Sequence, residues 1–186
     1  MTLCPEIRIG IAVLEDVAVL AALGKATFVE KFGHLYKPED LQAFLLDNHT
    51  QEQYLKLIED DHYQVWLASK DNEPVGYAVA GPCTLPVEGV SAEFLASAGE
   101  IKRLYILSSC QGSGLGQKLM DVMIKWLNAS GYTPLYLSVY ADNHGAQRFY
   151  QRYGFSVIQH YEFKVGEHRD PELIMQQIAY EKMTSC

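Results

Sequence analysis

Six residues lie between a hydrophobic run and an amphipathic run and have the composition of an anion-binding loop. Residues 111–116 (QGSGLG) follow the apolar stretch 101–107, and after them apolar residues recur at helical spacing as far as Leu127. A strand, a glycine-rich loop and a helix in this order present free backbone N–H groups at the positive end of the helix dipole. Such a place binds phosphate. We therefore expect a phosphate-bearing ligand at this loop.

Two common phosphate-binding fingerprints do not fit the loop. A nucleoside-triphosphate loop needs Gly-Lys-Ser/Thr, but the residue five positions after Gly112 is Gln117. The dinucleotide fingerprint begins at Gly112 and Gly114, but it needs a small residue where Gln117 stands. It also needs an acidic residue about 20 positions farther on, and the hydrophobic run 136–139 occupies that place. The pattern that fits is Gln111-x-x-Gly114-x-Gly116.

A second motif follows the next hydrophobic run, in the sequence LSVYADNHGAQRFYQRYGF. Asn143 is suited to cap a helix, and Gly154 is suited to end it. Ala146, Phe149, Tyr150 and Tyr153 form an i, i+3, i+4, i+7 stripe, which is typical of core packing. A tyrosine hydroxyl can also act as a general acid when it lies at hydrogen-bond distance from the reacting group.

The two motifs together resemble those of the GCN5-related N-acetyltransferase (GNAT) superfamily. The first is similar to its Q/R-x-x-G-x-G/A loop, and the second is similar to its N-x-x-A-x-x-F-Y-x-x-x-G-F pattern. The resemblance implies acetyl-CoA as co-substrate, no metal, and direct transfer of the acetyl group to a primary amine. It implies that the loop holds the pyrophosphate with Gln111, Gly112, Ser113, Gly114, Leu115 and Gly116.

The same resemblance gives roles to residues outside the loop. Tyr150 is expected to be the general acid that protonates the departing thiolate, with core packing as its alternative. Backbone groups of Leu104, Tyr105 and Ile106 are expected to contact the pantetheine arm and the acetyl carbonyl. Asn143 is expected to bind the pantetheine arm or to serve as the helix cap, and both roles are compatible. Ala146 belongs to the same cofactor-binding motif.

The sequence does not single out one group as the base that deprotonates the acceptor amine. A primary alkylamine has a pKa of roughly 10.4, so the acceptor must lose a proton before it attacks. Glu100 stands at the start of the central strand, where the resemblance places a glutamate that acts directly or through water. Glu100 could instead pair with Lys102, two residues along. A chain of water molecules to solvent would also suffice.

The elements that must position these residues alternate between strands and helices. We predict strands at 6–13, 64–69, 75–80, 100–107, 134–140, 155–163 and 172–180, with helices at Val17–Phe32, from Lys37, at 52–60, from Leu115 and at 145–153. Residues 82–99 are expected to be irregular. The predicted fold is α/β, with a mixed and mostly antiparallel central sheet flanked by helices in the order β-α-α-β-β-β-α-β-α-β-β. We expect one N-acetyltransferase domain over residues 1–186, with a core at about 6–180.

Composition and charge limit the class of protein. The 186 residues carry a net charge of −8, which argues against nucleic acid or an anionic membrane as a partner. No apolar run approaches the ~20 residues of a membrane helix, and the N-terminus has no signal-peptide pattern. The four cysteines have no C-x-x-C spacing, so free thiols in a cytoplasmic protein are expected, with Cys110 buried rather than nucleophilic.

The acceptor is indicated by the N-terminal helices. The sequence KATFVEKFGHLYKPEDLQAFL and the strand EIKRLYIL are similar to bacterial spermidine/spermine N-acetyltransferases of the PaiA type, which implies a small cationic amine. Glu30, Glu39 and Asp40 could attract a polycation, or they could form a solvated helix face. Acetylation of a protein N-terminus or of another small amine, and a CoA-binding sensor without turnover, remain alternatives. A homodimer is expected only by analogy with the superfamily.

Overall fold

One mixed sheet of seven strands organises the chain in the computed structural model, which describes residues 6–177. The strands are β1 (Ile7–Ile11), β2 (Gln64–Lys70), β3 (Glu73–Pro82), β4 (Gly99–Ile106), β5 (Leu135–Tyr140), β6 (Phe155–Val165) and β7 (His168–Gln177). The helices are α1 (Val17–Phe32), α2 (Pro38–Asn48), α3 (Gln51–Glu59), α4 (Ala92–Ser97), α5 (Leu115–Ala129) and α6 (His144–Gln151). The predicted α/β class and mixed sheet are confirmed.

The element order differs from the prediction at two places. The predicted order counts two helices between β1 and β2, but all three helical stretches predicted there form separate helices, because the chain breaks at His49 and Thr50, and the Thr50 side chain accepts a hydrogen bond from the Gln53 N–H to start α3. The segment predicted as irregular contains the short helix α4, whose first turn Ser91 caps. Residues 178–180 of the predicted last strand lie outside the described part of the chain, as do Cys4 and Cys186.

The sheet runs in the order β1-β2-β3-β4-β5-β7-β6, and every neighbouring pair is antiparallel except β4 and β5. The parallel pair needs a crossover, which α5 supplies, and Gly131 closes this helix with φ of +81°. The N–H of Tyr132 bonds the carbonyl of Leu127 at 3.0 Å, and the N–H of Gly131 bonds that of Asn128 at 3.1 Å, which is a Schellman ending.

The central strands separate soon after they meet. β4 and β5 are in register only from Gly99↔Leu135 to Ile101↔Leu137, and farther along, each strand pairs only with its outer neighbour. Arg103 pairs with Val79 of β3, and Ile101 pairs with Ala80. Lys102 between them has no partner in the register, so β4 has a bulge at this residue. The sheet therefore opens into a wedge between residues 102–106 of β4 and 138–140 of β5.

Each face of the sheet has its own layer of helices. On one face α5 and α6 cover the largest core cluster, in which Leu119, Met120 and Met123 are fully buried. On the opposite face α1 and α3 pack Leu20 and Tyr54 against the sheet. Residues 83–98 cover the same face near β5 and β7. We call the first the donor face and the second the acceptor face.

Candidate functional site

A cleft of about 1510 Å³ passes through the wedge between β4 and β5 and is open to both faces of the sheet. Its volume exceeds the range of roughly 300–1,000 Å³ that is usual for a single drug-sized ligand. On the donor face it is lined by the loop before α5 and by α6, and on the acceptor face by α1, α2, β6 and β7. This arrangement can hold two substrates that meet in the wedge.

The glycine-rich loop has the conformation of an anion-binding site. Gly112 and Gly114 have φ of +76° and +81°, and an L-residue rarely adopts these values. Between residues 112 and 116, no backbone N–H donates to another group in the described structure, and α5 starts at Leu115 without a side-chain cap. The loop therefore offers a row of free donors at the positive end of α5.

Side chains of the loop hold its shape rather than extend toward a ligand. The Ser113 hydroxyl donates to the Cys110 carbonyl at 2.7 Å, and Gln111 Nε2 donates to the Ile106 carbonyl at 3.3 Å. Cys110 is buried, as expected, and it is a free thiol. The ligand-binding capacity of this loop therefore lies in its backbone.

The strand residues predicted to contact the cofactor line the wedge. Leu104, Tyr105 and Ile106 all border the cleft, on the part of β4 that has lost its partner β5. Leu104 and Ile106 pack against the donor-face core, whereas the Tyr105 ring stacks on Tyr77 on the acceptor face, with centroids 5.8 Å apart. Backbone groups on this free edge can bind an extended ligand as a neighbouring strand would.

The start of α6 faces the glycine loop across the donor side of the cleft. Asn143 is the N-cap, and its Oδ1 accepts a hydrogen bond from the Ala146 N–H at 3.3 Å. The capping alternative for Asn143 is therefore present in the structure. Asn143 and Ala146 both line the cleft, so a cofactor contact remains compatible with the cap.

Tyr150 lies on the same helix, one turn farther along. Its ring packs beside Phe149 and Phe155, with centroids 5.4 Å and 6.3 Å away, which accounts for the apolar stripe. In the described structure its hydroxyl makes no hydrogen bond to protein, and the residue lines the cleft. Burial, with a smaller contribution from the Glu172 carboxylate, raises the pKa of Tyr150 to about 12, so the phenol keeps its proton at neutral pH.

Glu100 is buried on the acceptor side, where it pairs with Lys102. The Lys102 Nζ lies 2.8 Å from Oε2 of Glu100, and the same oxygen accepts from the Thr84 N–H at 2.8 Å and the Thr84 hydroxyl at 3.2 Å. The alternative that the sequence left open, a pair with Lys102, is thus observed. This carboxylate ties the bulge of β4 to the segment after β3.

The acceptor wall contains two carboxylates that come from β7. Glu172 is partly buried, and its Oε2 accepts a hydrogen bond from the Tyr161 hydroxyl at 2.8 Å. Asp170 is 3% exposed, and its Oδ2 accepts from the Tyr36 hydroxyl. His168 Nε2 lies 3.2 Å from Asp170 Oδ1 without the alignment of a hydrogen bond, so this oxygen has no hydrogen-bond donor among residues 6–177.

No lysine or arginine within residues 6–177 pairs with either β7 carboxylate. Two cations of β4 that line the cleft are otherwise engaged: Lys102 pairs with Glu100, and the Arg103 guanidinium lies over the Tyr54 ring at 5.2 Å and donates to the Asn48 carbonyl at 3.1 Å. The β7 wall therefore carries negative charge that a cationic ligand could balance.

The acidic residues that the sequence suggested for the acceptor have other contacts. Glu30 lines the cleft and accepts from the Ser108 hydroxyl and N–H, which lower the pKa of its carboxyl. Asp40 Oδ1 accepts from the Glu167 N–H at 2.8 Å and so holds α2 to the β6–β7 turn. Glu39 is exposed. Two of the three thus fasten elements together.

Sequence reasoning missed the residues of the acceptor wall. Asp170 and Glu172 stand at i and i+2 and share one face of β7, opposite Phe163 and Tyr161 of β6. Two acids at alternating positions just before the apolar run LIM were a usable sign of a polar cavity wall. Tyr36 could not be found in this way, because its partner Asp170 is 134 residues away.

Two general features of residues 6–177 bear on the class of site. Within this range, no three His, Cys, Asp or Glu side chains come together as a metal-binding group. The same range has no helix with the length and apolar character needed to cross a bilayer.

Comparison with known proteins gives the family. The profile of the Acetyltransferase (GNAT) family matches residues 29–155. An uncharacterized N-acetyltransferase of Mycobacterium tuberculosis is 25% identical over 162 residues, 87% of this chain and 97% of the relative. The spermine/spermidine N(1)-acetyltransferase of Bacillus subtilis is 30% identical over 126 residues, 63% of this chain and 82% of the relative.

A solved structure agrees with the fold. The PaiA N-acetyltransferase from Thermoplasma acidophilum, crystallised in complex with coenzyme A, superposes with a TM-score of 0.72 at 18% identity, covering 94% of this chain and 99% of that one. The family match spans the glycine loop and Tyr150, the two motifs that face each other across the donor side of the cleft. The chain therefore belongs to the GNAT family and is an N-acetyltransferase that uses acetyl-CoA as its co-substrate.

Proposed function

We propose that the enzyme acetylates a primary amine of a small polycation such as spermidine or spermine. The observation that carries this proposal is the acidic acceptor wall, where Asp170 and Glu172 line the cleft without a lysine or arginine partner in the described structure. An ammonium group would balance either carboxylate. The polyamine acetyltransferase of Bacillus subtilis named above adds support as a relative.

The proposed placement of acetyl-CoA uses the donor half of the cleft. The free N–H groups of residues 112–116 would bind the pyrophosphate, because fixed amide donors at a helix start stabilise an anion. The pantetheine arm would then run along the free edge of β4 beside Leu104, Tyr105 and Ile106, with Asn143 and Ala146 on the opposite side. The thioester would reach the wedge, where the two faces of the sheet communicate.

In this placement Tyr150 acts as the general acid. The acceptor nitrogen attacks the thioester carbon from the acceptor face, and a backbone N–H of β4 would stabilise the developing oxyanion. The departing sulfur lies on the donor face, near the Tyr150 hydroxyl. That phenol is protonated at neutral pH and has no competing protein acceptor in the described structure, so it is available to donate.

The proposed setting is the cytoplasm, with the chain acting as one acetyltransferase unit. Cys83 and Cys110 are buried free thiols, which suits a reducing compartment. The homodimer suggested by analogy stays a prediction that sedimentation would check.

The test is a CoA-release assay with spermidine, spermine, a monoamine of similar length and a short peptide. We expect turnover with the polyamines at lower KM than with the monoamine, because only the polyamines carry a second cation for the β7 wall. Asp170→Asn keeps an oxygen for the Tyr36 hydroxyl but removes the charge, and it should raise the polyamine KM about tenfold. The monoamine KM should change little.

Other outcomes would redirect the proposal. Turnover on the peptide alone would favour acetylation of a protein N-terminus and contradict the polyamine assignment. If the KM values for monoamine and polyamine were equal and Asp170→Asn left them unchanged, the acidic wall would not contribute to binding the polyamine. CoA binding without turnover of any of these acceptors would favour a sensor over the polyamine enzyme.

A further inference from the structure

The attacking amine needs a proton acceptor, and the carboxylate first expected in that role is already engaged. Oε2 of Glu100 accepts from two groups of Thr84 and from the Lys102 ammonium, which balances its charge. Lys102 Nζ also donates to the Thr84 hydroxyl at 2.8 Å. These contacts give Glu100 a structural function, and a base has to be sought elsewhere on the acceptor face.

Glu172 is the second carboxylate on this face, and its position is set by three strands. In the sheet register it lies opposite Tyr140 of β5 and Tyr161 of β6, level with the end of β5 that has separated from β4, and it lines the cleft. Its Oε2 accepts a hydrogen bond from the Tyr161 hydroxyl at 2.8 Å, and the Ser138 side chain also hydrogen-bonds to the carboxylate. These partners are neutral hydroxyls, and no lysine or arginine within residues 6–177 pairs with Glu172, so its charge is not balanced as that of Glu100 is.

Glu172 is electrostatically coupled to both sides of the wedge. Its charge contributes to the raised pKa of Tyr105, on the free part of β4, and of Tyr150, on the donor-face helix α6. Glu172, Tyr105 and Tyr150 all line the cleft, so the carboxylate borders the same space as both phenols. It is on the acceptor face, whereas the ring of Tyr150 packs on the donor face.

We propose that Glu172 is the catalytic base that takes the proton from the acceptor ammonium. This inference rests on the proposed acetyl transfer. The R–NH₃⁺ group gives one proton to Glu172, and the nitrogen lone pair then forms the C–N bond with the thioester carbon. The C–S bond breaks, the thiolate takes the proton of Tyr150, and the surplus proton of the new amide nitrogen returns through solvent to Tyr150. Glu172 releases its proton to solvent, which leaves the amide, CoA–SH and one free proton.

The environment of Glu172 suits this role. Burial raises the pKa of its carboxyl, and Asp170 on the same strand raises it further, whereas hydrogen bonds from Tyr161 and Ser138 lower it. Tyr105 and Tyr150 face it as neutral phenols. A carboxylate with a raised pKa holds a proton better near neutral pH, which is what a general base requires. Activity should therefore fall as the pH drops through this raised pKa, because the protonated acid cannot accept a proton.

The test compares Glu172→Gln with Glu100→Gln under single-turnover conditions with spermidine. Glu172→Gln should lower the acetyl-transfer rate about 10²–10⁴-fold, abolish the acidic limb of the pH–rate profile and leave the Kd of CoA unchanged. Glu100→Gln should keep that limb. Thermal unfolding of both variants separates loss of chemistry from loss of fold.

A second variant acts on the base without removing it. Tyr161→Phe deletes the hydrogen bond that stabilises the charged carboxylate, so the acidic limb of the pH–rate profile should move to higher pH. A wild-type-like profile in both Glu172→Gln and Tyr161→Phe would overturn the inference while leaving acetyl transfer intact. A Glu172→Gln variant with raised acceptor KM and a wild-type rate would also overturn it, by reducing Glu172 to a binding contact. Absence of turnover in the wild-type enzyme would instead refute the proposed function.

Discussion

The position of Tyr150 is compatible with both core packing and the proposed chemistry. Its ring packs with Phe149 and Phe155, while its hydroxyl lies in the cleft without a protein partner in the described structure. The apolar stripe is therefore observed, and the role of Tyr150 as general acid stays a prediction.

We expect Tyr150→Phe to lose turnover and to keep CoA binding. The substitution removes the proton donor but preserves the ring and its packing, so kcat should fall about 10²–10⁴-fold at unchanged Kd for CoA. The rate is measured by CoA release and the affinity by calorimetry. Tyr153→Phe is the matched control, because the Tyr153 hydroxyl is engaged with Asp121 at 2.9 Å. Equal losses in the two variants would contradict the role of Tyr150.

Residue roles could be predicted only where they lie in a contiguous motif. Gln111 to Gly116 and Asn143 to Tyr150 are short stretches in which spacing alone carries information. Asp170 and Tyr36 meet only after the sheet has formed, and the Glu100–Lys102 pair becomes decisive only once Thr84 is seen beside it. No local pattern contains those contacts.

Among the elements, the junction between the glycine loop and α5 has the sharpest conformational requirement. Gly114 needs a positive φ, although a Cβ on it would meet no atom within 4 Å. Gly116 has no such φ, and a Cβ there would make ordinary contacts, the nearest at 3.5 Å with Ile106 Cδ1. The two glycines of the motif therefore serve different purposes.

Gly114→Ala should weaken CoA binding much more than Gly116→Ala. An L-residue in the left-handed region costs about 1–2 kcal/mol, and the loop can relieve this strain only by moving its amide donors. We expect a Kd about tenfold higher for Gly114→Ala and a near-wild-type value for Gly116→Ala, as measured by calorimetry with CoA. The reverse order would contradict the view that φ, rather than space, selects glycine at position 114.

Long periodic elements were predictable, and short ones were not. α5 has apolar residues over four turns, and β2 and β3 are joined at Asp71 and Asn72, whose φ values of 52° and 69° are those of a tight hairpin turn. α4 has only six residues, too few to establish a period, and its segment is fixed by Cys83, Leu85 and Val87 packing against the sheet.

At the scale of the whole molecule, stability should depend on a buried histidine on the α2 side of the cleft wall. His49 is 2% exposed, and its Nδ1 lies 3.0 Å from the Tyr54 hydroxyl. Burial, with smaller effects of Arg103 and Lys25, lowers the pKa of His49 to about 3. The folded protein therefore keeps this ring neutral, whereas the unfolded chain takes up a proton below about pH 6.5.

The free energy of unfolding should consequently fall as the pH drops from 6.5 toward 3. At pH 5 the unfolded state gains roughly 2 kcal/mol from protonation of His49, since each pH unit below the unfolded pKa contributes about 1.4 kcal/mol. Urea titrations at pH 7 and pH 5 give the loss in the free energy of unfolding for the wild type and for His49→Gln. The loss in the wild type minus the loss in the variant is the contribution of His49. An equal pH dependence in both proteins would contradict it.

The wedge in the sheet also bears on self-association. A sheet usually has two free edges, which can recruit a strand from another chain. Here the separation of β4 and β5 creates two more, in the middle of the sheet. Helices and loops on both faces surround these inner edges, so an incoming polypeptide strand has to enter a walled cleft. The opening in which we propose that the pantetheine chain binds is thereby shielded from pairing with a strand of another copy of the molecule.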